Sequence, residues 1–425
     1  MTAALETPFD QALEELATAY ERVPFFGAHL DQAGLKPQDI RTPADFRRVP
    51  PTRKADYRRN FPAGVLMRGT ALSDPFVFPS RSSGTAGDRL LTATHSFSLA
   101  ERLVSATEVN PLMLAVFGRA RPARICRYAP PNCSDVECAL PSTTTESRTL
   151  PDGTLVLPVA HDLLTTPAAM LDQAAEELGT YRPHWLYVDP THLAFLVRAL
   201  TERGIRPPAG CGGIVLTYNL VTAAARRQIE EFFGAGVVVA EVSSMSELGW
   251  LGMECPTGSL HLNTGSFYLE LLDGDQPCPP GEFGELVVTS LGDQISPHIR
   301  YRTGDLYRHV PGECPCGHPA PRAEHHGRGR DTLRDGDRSM LTARQLDALV
   351  GPADWLDCYQ LRQTGDEFLL RYVPSTAAGA ATGAAAQLRD RLRAALGDRA
   401  RVSVAPVPYI ESERSGKLLS CLRER

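Results

Sequence analysis

Between residues 167 and 250, helix-forming stretches alternate with short apolar runs, and that alternation restricts the chain to an α/β core. The helical stretches are Pro167 to Leu178, Thr191 to Arg203 and Ala223 to Phe233, and the apolar runs are WLYVD, GGIVLTY and GVVVAEV. Helices alternating with short apolar strands argue for an α/β core. The first helix carries a start signal, with Thr166 as N-cap and Pro167 at the first helical position.

The flanks have a different character. Up to about Pro62 the chain reads as helices and turns, with Ala12, Leu13, Leu16 and Tyr20 at helical spacing and Pro24, Pro37, Pro43 and Pro50 as punctuation. The segment FVFPSRSSGTAGDRLLTATHS reads as strand, polar loop and strand. Beyond Gly258, SFYLELLD and GELVVTS predict an antiparallel β region. From Gly327 the pattern is mixed, with WLDCYQLRQT, EFLLRYV and RVSVAPV as strands, QLRDRLRAALG as a helix and STAAGAATGAAA as a low-complexity connection. No repeat of fixed period is visible, and 425 residues suffice for two or three domains.

The charge balance, 44 basic against 50 acidic residues with a net −6, argues against a nucleic-acid backbone or an anionic membrane as the main partner. No apolar stretch approaches the roughly 18 residues of a membrane span. The first segment, MTAALETPFDQALEELATAYERV, lacks the basic start and apolar centre of a signal peptide, so the expectation is a soluble cytoplasmic protein. On that expectation the 10 cysteines are free thiols or metal ligands rather than disulfides. Lysine is scarce, with Lys36, Lys54 and Lys417 the full set.

Ser82-Ser83-Gly84-Thr85-Ala86-Gly87 follows a predicted strand. Small residues let backbone N–H groups approach an anion, and the hydroxyls add donors for phosphate oxygens. It is not a Walker loop, because Asp88-Arg89 stands where Lys-Ser/Thr would be. Alone, such a loop is as readily an ordinary polar turn. It is followed, however, by SSMSELGW (Ser243 to Trp250), IRYRTGDL (Ile299 to Leu306), GRGRD (Gly327 to Asp331) and ERSGKLL (Glu413 to Leu419). These five segments, in this order, resemble the core motifs of the adenylate-forming superfamily of acyl- and aryl-CoA ligases. The N-terminal RVPFFGAHLDQAGLKPQDIRTPADFRRVPPTRKADYRRNFPAG and the stretch LHLNTGSFYLELLD to CPCG resemble its phenylacetate-CoA ligase-like branch. The likeness covers essentially the whole chain and is weakest between Cys126 and Asp162.

The resemblance implies an α/β protein with a large N-terminal domain of mixed sheets flanked by helices plus a β subdomain, residues 1–326. A small mobile α+β domain, residues 327–425, would act as its lid. It implies an ATP-dependent, AMP-forming acid–thiol ligase: a carboxylate attacks the α-phosphate of ATP, pyrophosphate leaves, and the acyl group passes from the adenylate to coenzyme A. Ser82, Ser83, Gly84, Thr85 and Gly87 are implied at the β- and γ-phosphates, Glu247 at Mg2+, and Ser244, Met245 and Ser246 beside them. Asn219 is implied at the base, Asp305 at the ribose hydroxyls from a tight Thr-Gly turn, Arg328 at ribose or phosphate, and Lys417 between the α-phosphate and the carboxylate. Lys417, Glu247 and Thr85 are thus the expected catalytic set. The barrier is dominated by crowded negative charge, so donors and cations at the phosphates are the chemistry such a site needs. Analogy further implies an even-numbered assembly such as a homodimer, although no residue marks an interface.

Cys255, His261, Cys314 and Cys316 form a second constellation. Three thiolates and an imidazole suit structural zinc, yet Cys-x-Cys is narrower than the usual zinc spacing and leaves unpaired core cysteines as an equal reading. Some members of the branch carry such a site at these positions, and the resemblance therefore implies structural Zn2+. Cys278 is an alternative ligand. His325-His326 reads as a solvated pair, and Cys133 and Cys138 as pocket-wall or core residues without a histidine partner for nucleophilic chemistry.

Four departures bear on the substrate and the acceptor. Ser243-Ser244 replaces the aromatic-glycine pair before the Mg2+-binding Ser-Glu. Thr217-Tyr218-Asn219-Leu220 stands at the adenine segment, where Tyr218 offers a substitute ring. Gly327-Arg328-Gly329-Arg330 has arginine where the domain pivot carries aspartate, with Asp331 next. CRYAPPNCSDVECALP places Tyr128, Asn132, Asp135 and Glu137 along the acyl-pocket segment and makes it more polar. The expected acid is therefore a substituted aromatic one, such as an amino- or hydroxybenzoate. The altered pivot motivates a rival second step, transfer to a carrier protein or to an amine or hydroxyl of a second small molecule. A non-catalytic nucleotide-binding relative is the third reading. It would be expected to have lost at least one of Thr85, Glu247, Asp305 and Lys417, and all four are present.

Overall fold

The computed structural model describes residues 8–81, 90–133, 136–279, 281–335, 338–375 and 382–424. The chain forms two compact units, one of residues 1–111 and 242–325, the other of residues 112–241 and 326–425. Expected and observed class agree: sheets flanked by helices in an α/β arrangement.

The first unit opens with the helix Phe9–Arg22, whose buried face is Ala12, Glu15, Leu16 and Ala19. Pro24 starts the next helix, Pro24–Gln32, at the position where a missing N–H costs nothing. Strands β1 (Val77–Arg81) and β2 (Leu91–His95) pair antiparallel, Val77 opposite His95. The Ser/Gly/Thr loop predicted between them falls at 82–89, so Ser82, Ser83, Gly84, Thr85 and Gly87 lie outside the described residues.

In the second unit five strands form a parallel sheet: β3 (Ile125–Tyr128), β4 (Leu155–Val156), β5 (Trp185–Val188), β6 (Gly213–Leu216) and the first half of β7 (Val238–Met245). Their order is β7-β6-β5-β3-β4. The three central apolar runs are these strands, and the helices Ala168–Tyr181, Pro190–Glu202 and Ala223–Phe233 pack on the sheet through Leu171, Leu178, Leu193, Val197 and Ile229. The chain lays down β3, adds β4 on one side, then returns to build β5, β6 and β7 on the other. The order therefore reverses between β3 and β5, and in open parallel sheets ligands bind outside the carboxyl ends of the strands at such a point. The register sets those ends level: Tyr128 lies opposite Val188, Val188 opposite Leu216, and Leu216 opposite Glu241.

One start signal is displaced. Pro167, not Thr166, is the N-cap of the first central helix. The Thr166 hydroxyl instead donates to the Leu163 carbonyl, 2.7 Å away, and accepts from the Ala160 N–H. A threonine that finds a partner in the preceding turn has no hydroxyl left for the helix.

The second half of β7 pairs antiparallel with β8 (Gly249–Glu254) in the first unit, followed by β9 (Leu260–Leu262), β10 (Phe267–Asp273), β11 (Gln276–Pro277), β12 (Phe283–Ser290), β13 (Tyr301–Val310) and β14 (Arg322–Arg328). This is the antiparallel region expected beyond Gly258. β14 ends in the second unit, and there the hairpin of β15 (Leu333–Asp335) and β16 (Arg338–Leu341) leads into a sheet of β17 (Leu356–Thr364), β18 (Glu367–Pro374), β19 (Arg401–Pro406) and β20 (Cys421–Arg423). The helix Thr382–Leu396 covers it with Leu388, Leu392 and Leu396, in a cluster that also takes in Leu220 and Ala224. Arg344 and Asp347 tie this α+β segment to the parallel-sheet region: Arg344 donates to Glu241 and to the Val221 carbonyl, while Asp347 accepts from the Ala223 N–H at 3.0 Å. Among the described residues, no helix is long and apolar enough to cross a membrane.

Candidate functional site

In the second unit the C-terminal loop carrying Lys417 folds onto the carboxyl end of β6. The Lys417 ammonium donates to the main-chain carbonyl of Tyr218, and the Asn219 amide donates to the Leu418 carbonyl at 3.0 Å. Lys417 is 8% exposed, although sequence alone would equally allow an exposed tail residue. The loop closes on itself through Glu413 N–H to Lys417 O (2.8 Å) and Gly416 N–H to Glu413 O (2.7 Å). Gly416 is required there: its φ is +84°, and a Cβ would stand 3.1 Å from Pro131 and 3.2 Å from Pro130. Asn132 donates to the Arg414 carbonyl at 3.0 Å, and the Ser412 hydroxyl accepts from the Leu163 N–H, so the segments around Asn132 and Leu163 are laced to the lysine loop.

Arg328 ends β14, and Arg330 pairs with its neighbour Asp331 at 3.4 Å. Burial raises the pKa of Glu413 against the opposing charges of Arg330, Arg328 and Lys417. Arg330 is thus part of the charge field around the lysine loop.

Tyr218 has a left-handed backbone, φ +70°, and its ring meets Tyr187 edge-on at 5.3 Å, with the Arg127 guanidinium 5.6 Å from the Tyr187 ring centre. Of the polar residues expected to line the acyl pocket, Tyr128 is buried, Asn132 serves the lysine loop, and the Glu137 carboxylate accepts from the Ala139 N–H at 2.7 Å. Asp135 lies outside the described residues. Cys138 belongs to the apolar core, where burial pushes its thiol up to about 12, while Cys133 is half-buried.

In the first unit Glu247 follows β7 and is 2% exposed, with Tyr301 Oη donating to its Oε1 at 2.6 Å. Burial alone would raise its pKa; the positive charge of Lys54, the Tyr301 bond and a backbone hydrogen bond outweigh burial and hold the carboxyl below its usual range. Lys54 was a residue without a role in the sequence, and only its scarcity among lysines singled it out. His298, buried and stacked on Tyr57 at 4.3 Å, is pushed down to about 4 by that burial and is neutral. Ser80 of β1 donates to the Ser246 carbonyl at 3.0 Å, so the strand that precedes residues 82–89 touches Ser246. Ser244 and Met245 close β7 opposite Trp250 and Gly249. The Ser243 hydroxyl bonds the Tyr307 hydroxyl, which gives a polar partner to the position where an aromatic residue was expected.

Asp305 sits on a bulge in β13 rather than on a free turn. The register steps from Val287 opposite Arg302 to Glu285 opposite Leu306, leaving Thr303-Gly304-Asp305 to face Leu286. The Thr303 hydroxyl donates to the Leu286 carbonyl at 2.7 Å and accepts from the Asp305 N–H, while Gly304 takes φ +79°.

The four metal-ligand candidates converge in the same unit. The three thiol sulfurs and the imidazole nitrogen lie within 4.8 Å of one another, with Cys255 Sγ to Cys314 Sγ 3.8 Å and Cys316 Sγ to His261 Nε2 3.4 Å. His261 Nδ1 donates to the Ala320 carbonyl at 2.7 Å, leaving Nε2 as the lone-pair nitrogen that faces the sulfurs. Burial opposes ionisation of Cys314, but hydrogen bonds from Thr257 and neighbouring groups bring its thiol down to about 5. Cys278 is not part of this group; its thiol points to the Pro279 carbonyl. His326 departs from the solvated pair expected in the sequence. It is 3% exposed and bonds the Thr342 hydroxyl at 2.9 Å, because β14 carries it into the packed second unit.

No family model matches the chain. Among curated proteins it is similar to the phenylacetate-coenzyme A ligase of Thermus thermophilus, 29% identical over 314 residues, covering 71% of this chain and 65% of that protein. It is also similar to the phenylacetate-coenzyme A ligase of Escherichia coli, 27% identical over 310 residues, covering 70% of this chain and 65% of that protein. The matches therefore span just under two thirds of those relatives' length. Among solved structures, 2-hydroxyisobutyryl-CoA ligase in the postadenylation state superimposes with a TM-score of 0.73 at 22% identity, covering 98% of this chain and 88% of that one. The anthranilate CoA ligase AuaEII in complex with anthranoyl-AMP gives 0.55 at 16% identity, covering 80% of this chain and 64% of that one.

Proposed function

This chain has the adenylate-forming fold and a phenylacetate-CoA-ligase-like sequence, and on that premise we propose that it is an ATP-dependent, AMP-forming ligase of a carboxylic acid. The observation that carries the reading is the burial of Lys417, the one cation of the C-terminal loop's Ser-Gly-Lys, against the Tyr218 carbonyl at the carboxyl end of the parallel sheet. There an ammonium would reach the α-phosphate and the attacking carboxylate, the two anions whose approach sets the barrier.

In this reading Ser82, Ser83, Gly84, Thr85 and Gly87 cradle the outer phosphates, Ser244, Met245 and Ser246 line the same path, Asn219 meets the base, Asp305 takes the ribose hydroxyls, and Arg328 takes ribose or phosphate oxygens. Glu247, buried and held ionised, suits Mg2+, which would neutralise phosphate charge. Residues 327–425 act as the moving lid of a large domain spanning 1–326. Cys255, His261, Cys314 and Cys316 would hold a structural Zn2+; three sulfurs and one imidazole are the donors of a four-ligand site and would leave no open position for chemistry.

The acid is a substituted aromatic one, an amino- or hydroxybenzoate, and the acyl group then passes to CoA. One observation favours a different acceptor, a carrier-protein thiol or a small-molecule amine or hydroxyl. Arg330 stands where a pivot aspartate would be and engages Asp331. ATP–pyrophosphate exchange across benzoic, aminobenzoic, hydroxybenzoic, phenylacetic and short aliphatic acids tests the first step, with product mass spectrometry with and without CoA for the second. Exchange followed by thioester is the expected result. Exchange without thioester transfers the reading to the other acceptors, and no exchange with any acid overturns the ligase reading.

A further inference from the structure

A buried polar triad at the reversal point of the parallel sheet has no use in the scheme above. Tyr128 is the last residue of β3, and Asp189, the residue after β5, caps the helix Pro190–Glu202 by accepting from Thr191 N–H (2.9 Å) and His192 N–H (3.1 Å). The same Asp189 Oδ1 accepts from His192 Nδ1 at 3.0 Å. Asp189 and His192 are 0% exposed and Tyr128 is 1% exposed. Yet Asp189 Oδ2, His192 Nε2 and Tyr128 Oη have no hydrogen-bond partner among the described residues.

Three such atoms in one place ask for an occupant. A buried polar atom without a partner costs about 1–3 kcal/mol, and native proteins seldom leave one, still less three together. The Tyr128 and His192 rings are 6.2 Å apart at 72°, and the main chains interlock, Asp189 N–H donating to Tyr128 O at 2.9 Å, so the three belong to one cluster. They lie between β3 and β5, where the strand order reverses and where a ligand cleft opens in sheets of this kind.

The chemistry of the cluster is that of an acceptor. Asp189 Oδ1 accepts from the Nδ1–H, the tautomer that leaves the lone pair at Nε2, and Asp189 Oδ2 adds a second acceptor. The Tyr128 hydroxyl works in either sense. We infer that His192, positioned by Asp189 and assisted by Tyr128, binds the hydrogen-bond-donating substituent of the acid, an amino or hydroxyl group. This inference rests on the ligase reading and makes these residues its specificity determinants: His192 and Tyr128 touch the substrate, and Asp189 is a positioning residue.

The test is kcat/KM for pyrophosphate exchange with the amino- and hydroxybenzoate isomers against benzoate and the size-matched methoxybenzoates, in the wild type and in His192→Leu, Tyr128→Phe and Asp189→Asn. The wild type is expected to favour its best donor-bearing acid over the methoxy analogue by about 100-fold or more, since a site built around a substrate OH or NH rejects its absence strongly. His192→Leu brings that ratio within about 10-fold, mostly through a raised KM for the donor-bearing acid. Tyr128→Phe removes only an orphan hydroxyl, so its melting temperature without acid stays level or rises while the preference falls. A wild type indifferent to the donor, or variants that slow every acid alike, overturns the inference while leaving the ligase reading standing. Absence of exchange with every acid in the wild type overturns both.

Discussion

The Lys417 ammonium is fastened to the main-chain carbonyl of Tyr218, a residue held at φ +70°. A non-glycine residue in left-handed backbone is uncommon and costs energy that its surroundings must offset. Here the Tyr218 ring is locked by Tyr187, and the Asn219 amide next to it bonds Leu418, so the lysine and its acceptor are held from both sides. On the ligase reading, an anionic oxygen of the substrates would compete with this carbonyl for the ammonium.

Lys417→Ala is therefore expected to lower ATP–pyrophosphate exchange by about 100-fold or more, the scale found when one donor to a developing charge is removed. Thioester formation from a supplied acyl-adenylate, which needs no charge at the α-phosphate, should fall far less. Exchange left unchanged in the alanine variant would mean that Lys417 has no part in the first step.

The Cys255, His261, Cys314 and Cys316 group predicts about one equivalent of zinc per chain after gel filtration. Cys314→Ser should release it and lower the melting temperature by more than about 5 °C, because metal-binding energy in a structural site is folding energy. Exchange activity of the variant below its melting point should remain, since the ligands leave no open position. Less than half an equivalent in the wild type would count against the site.

Lys54 and Glu247 give a pH prediction. Removing a cation that favours the carboxylate raises the carboxyl's pKa. In Lys54→Met, Glu247 stays protonated to higher pH, so the acid limb of the exchange profile moves upward and more Mg2+ is needed for half-maximal rate. Lys36→Met is the control: Lys36 is surface-exposed and bonded to Asp31 and Tyr20, and its loss should move neither. Profiles that superimpose for wild type and Lys54→Met would break the link between the two residues.

How far the sequence could be read depends on whether a signal is local. Three of the parallel strands, β5, β6 and β7, were legible as short apolar runs between helices, while β3 and β4 were not, and the antiparallel region was legible because Gly, Asp and Pro punctuate it. The metal group was legible as residue types, but its convergence depends on β9 pairing with β14 to bring His261 beside the 314–316 turn. The His192 triad was not legible: Asp-Pro-Thr-His reads only as a helix start, and Tyr128 reaches it through pairing of β3 with β5. His326 failed for a related reason, since sequence cannot show that a strand will carry a linker histidine into a core. Thr166 misled because a capping residue with a closer acceptor does not cap.

Glu15 ties the first helix to the antiparallel sheet and sets a stability trend with pH. It is 4% exposed, accepts from the Ser290 hydroxyl at 3.2 Å and from the Asp293 N–H at 3.2 Å, and faces the Asp293 carboxylate, which Arg102 holds at 2.8 Å. Burial first, and the Asp293 charge second, push its carboxyl up to about 8 from 4.5. In the unfolded chain Glu15 ionises near its ordinary value, so between roughly pH 4.5 and 8 the folded state binds the extra proton. Stability from this group is fully present below the lower value and is lost as pH rises toward the upper one, by at most about 1.4 kcal/mol per pH unit. Glu15→Gln keeps an acceptor and cannot ionise, so it lacks that slope. The difference in urea stability, variant minus wild type, should grow steadily in the variant's favour from pH 5 to pH 8. A difference that stays flat across that range would show that Glu15 is ionised in the folded protein, with Arg102 prevailing over burial and Asp293.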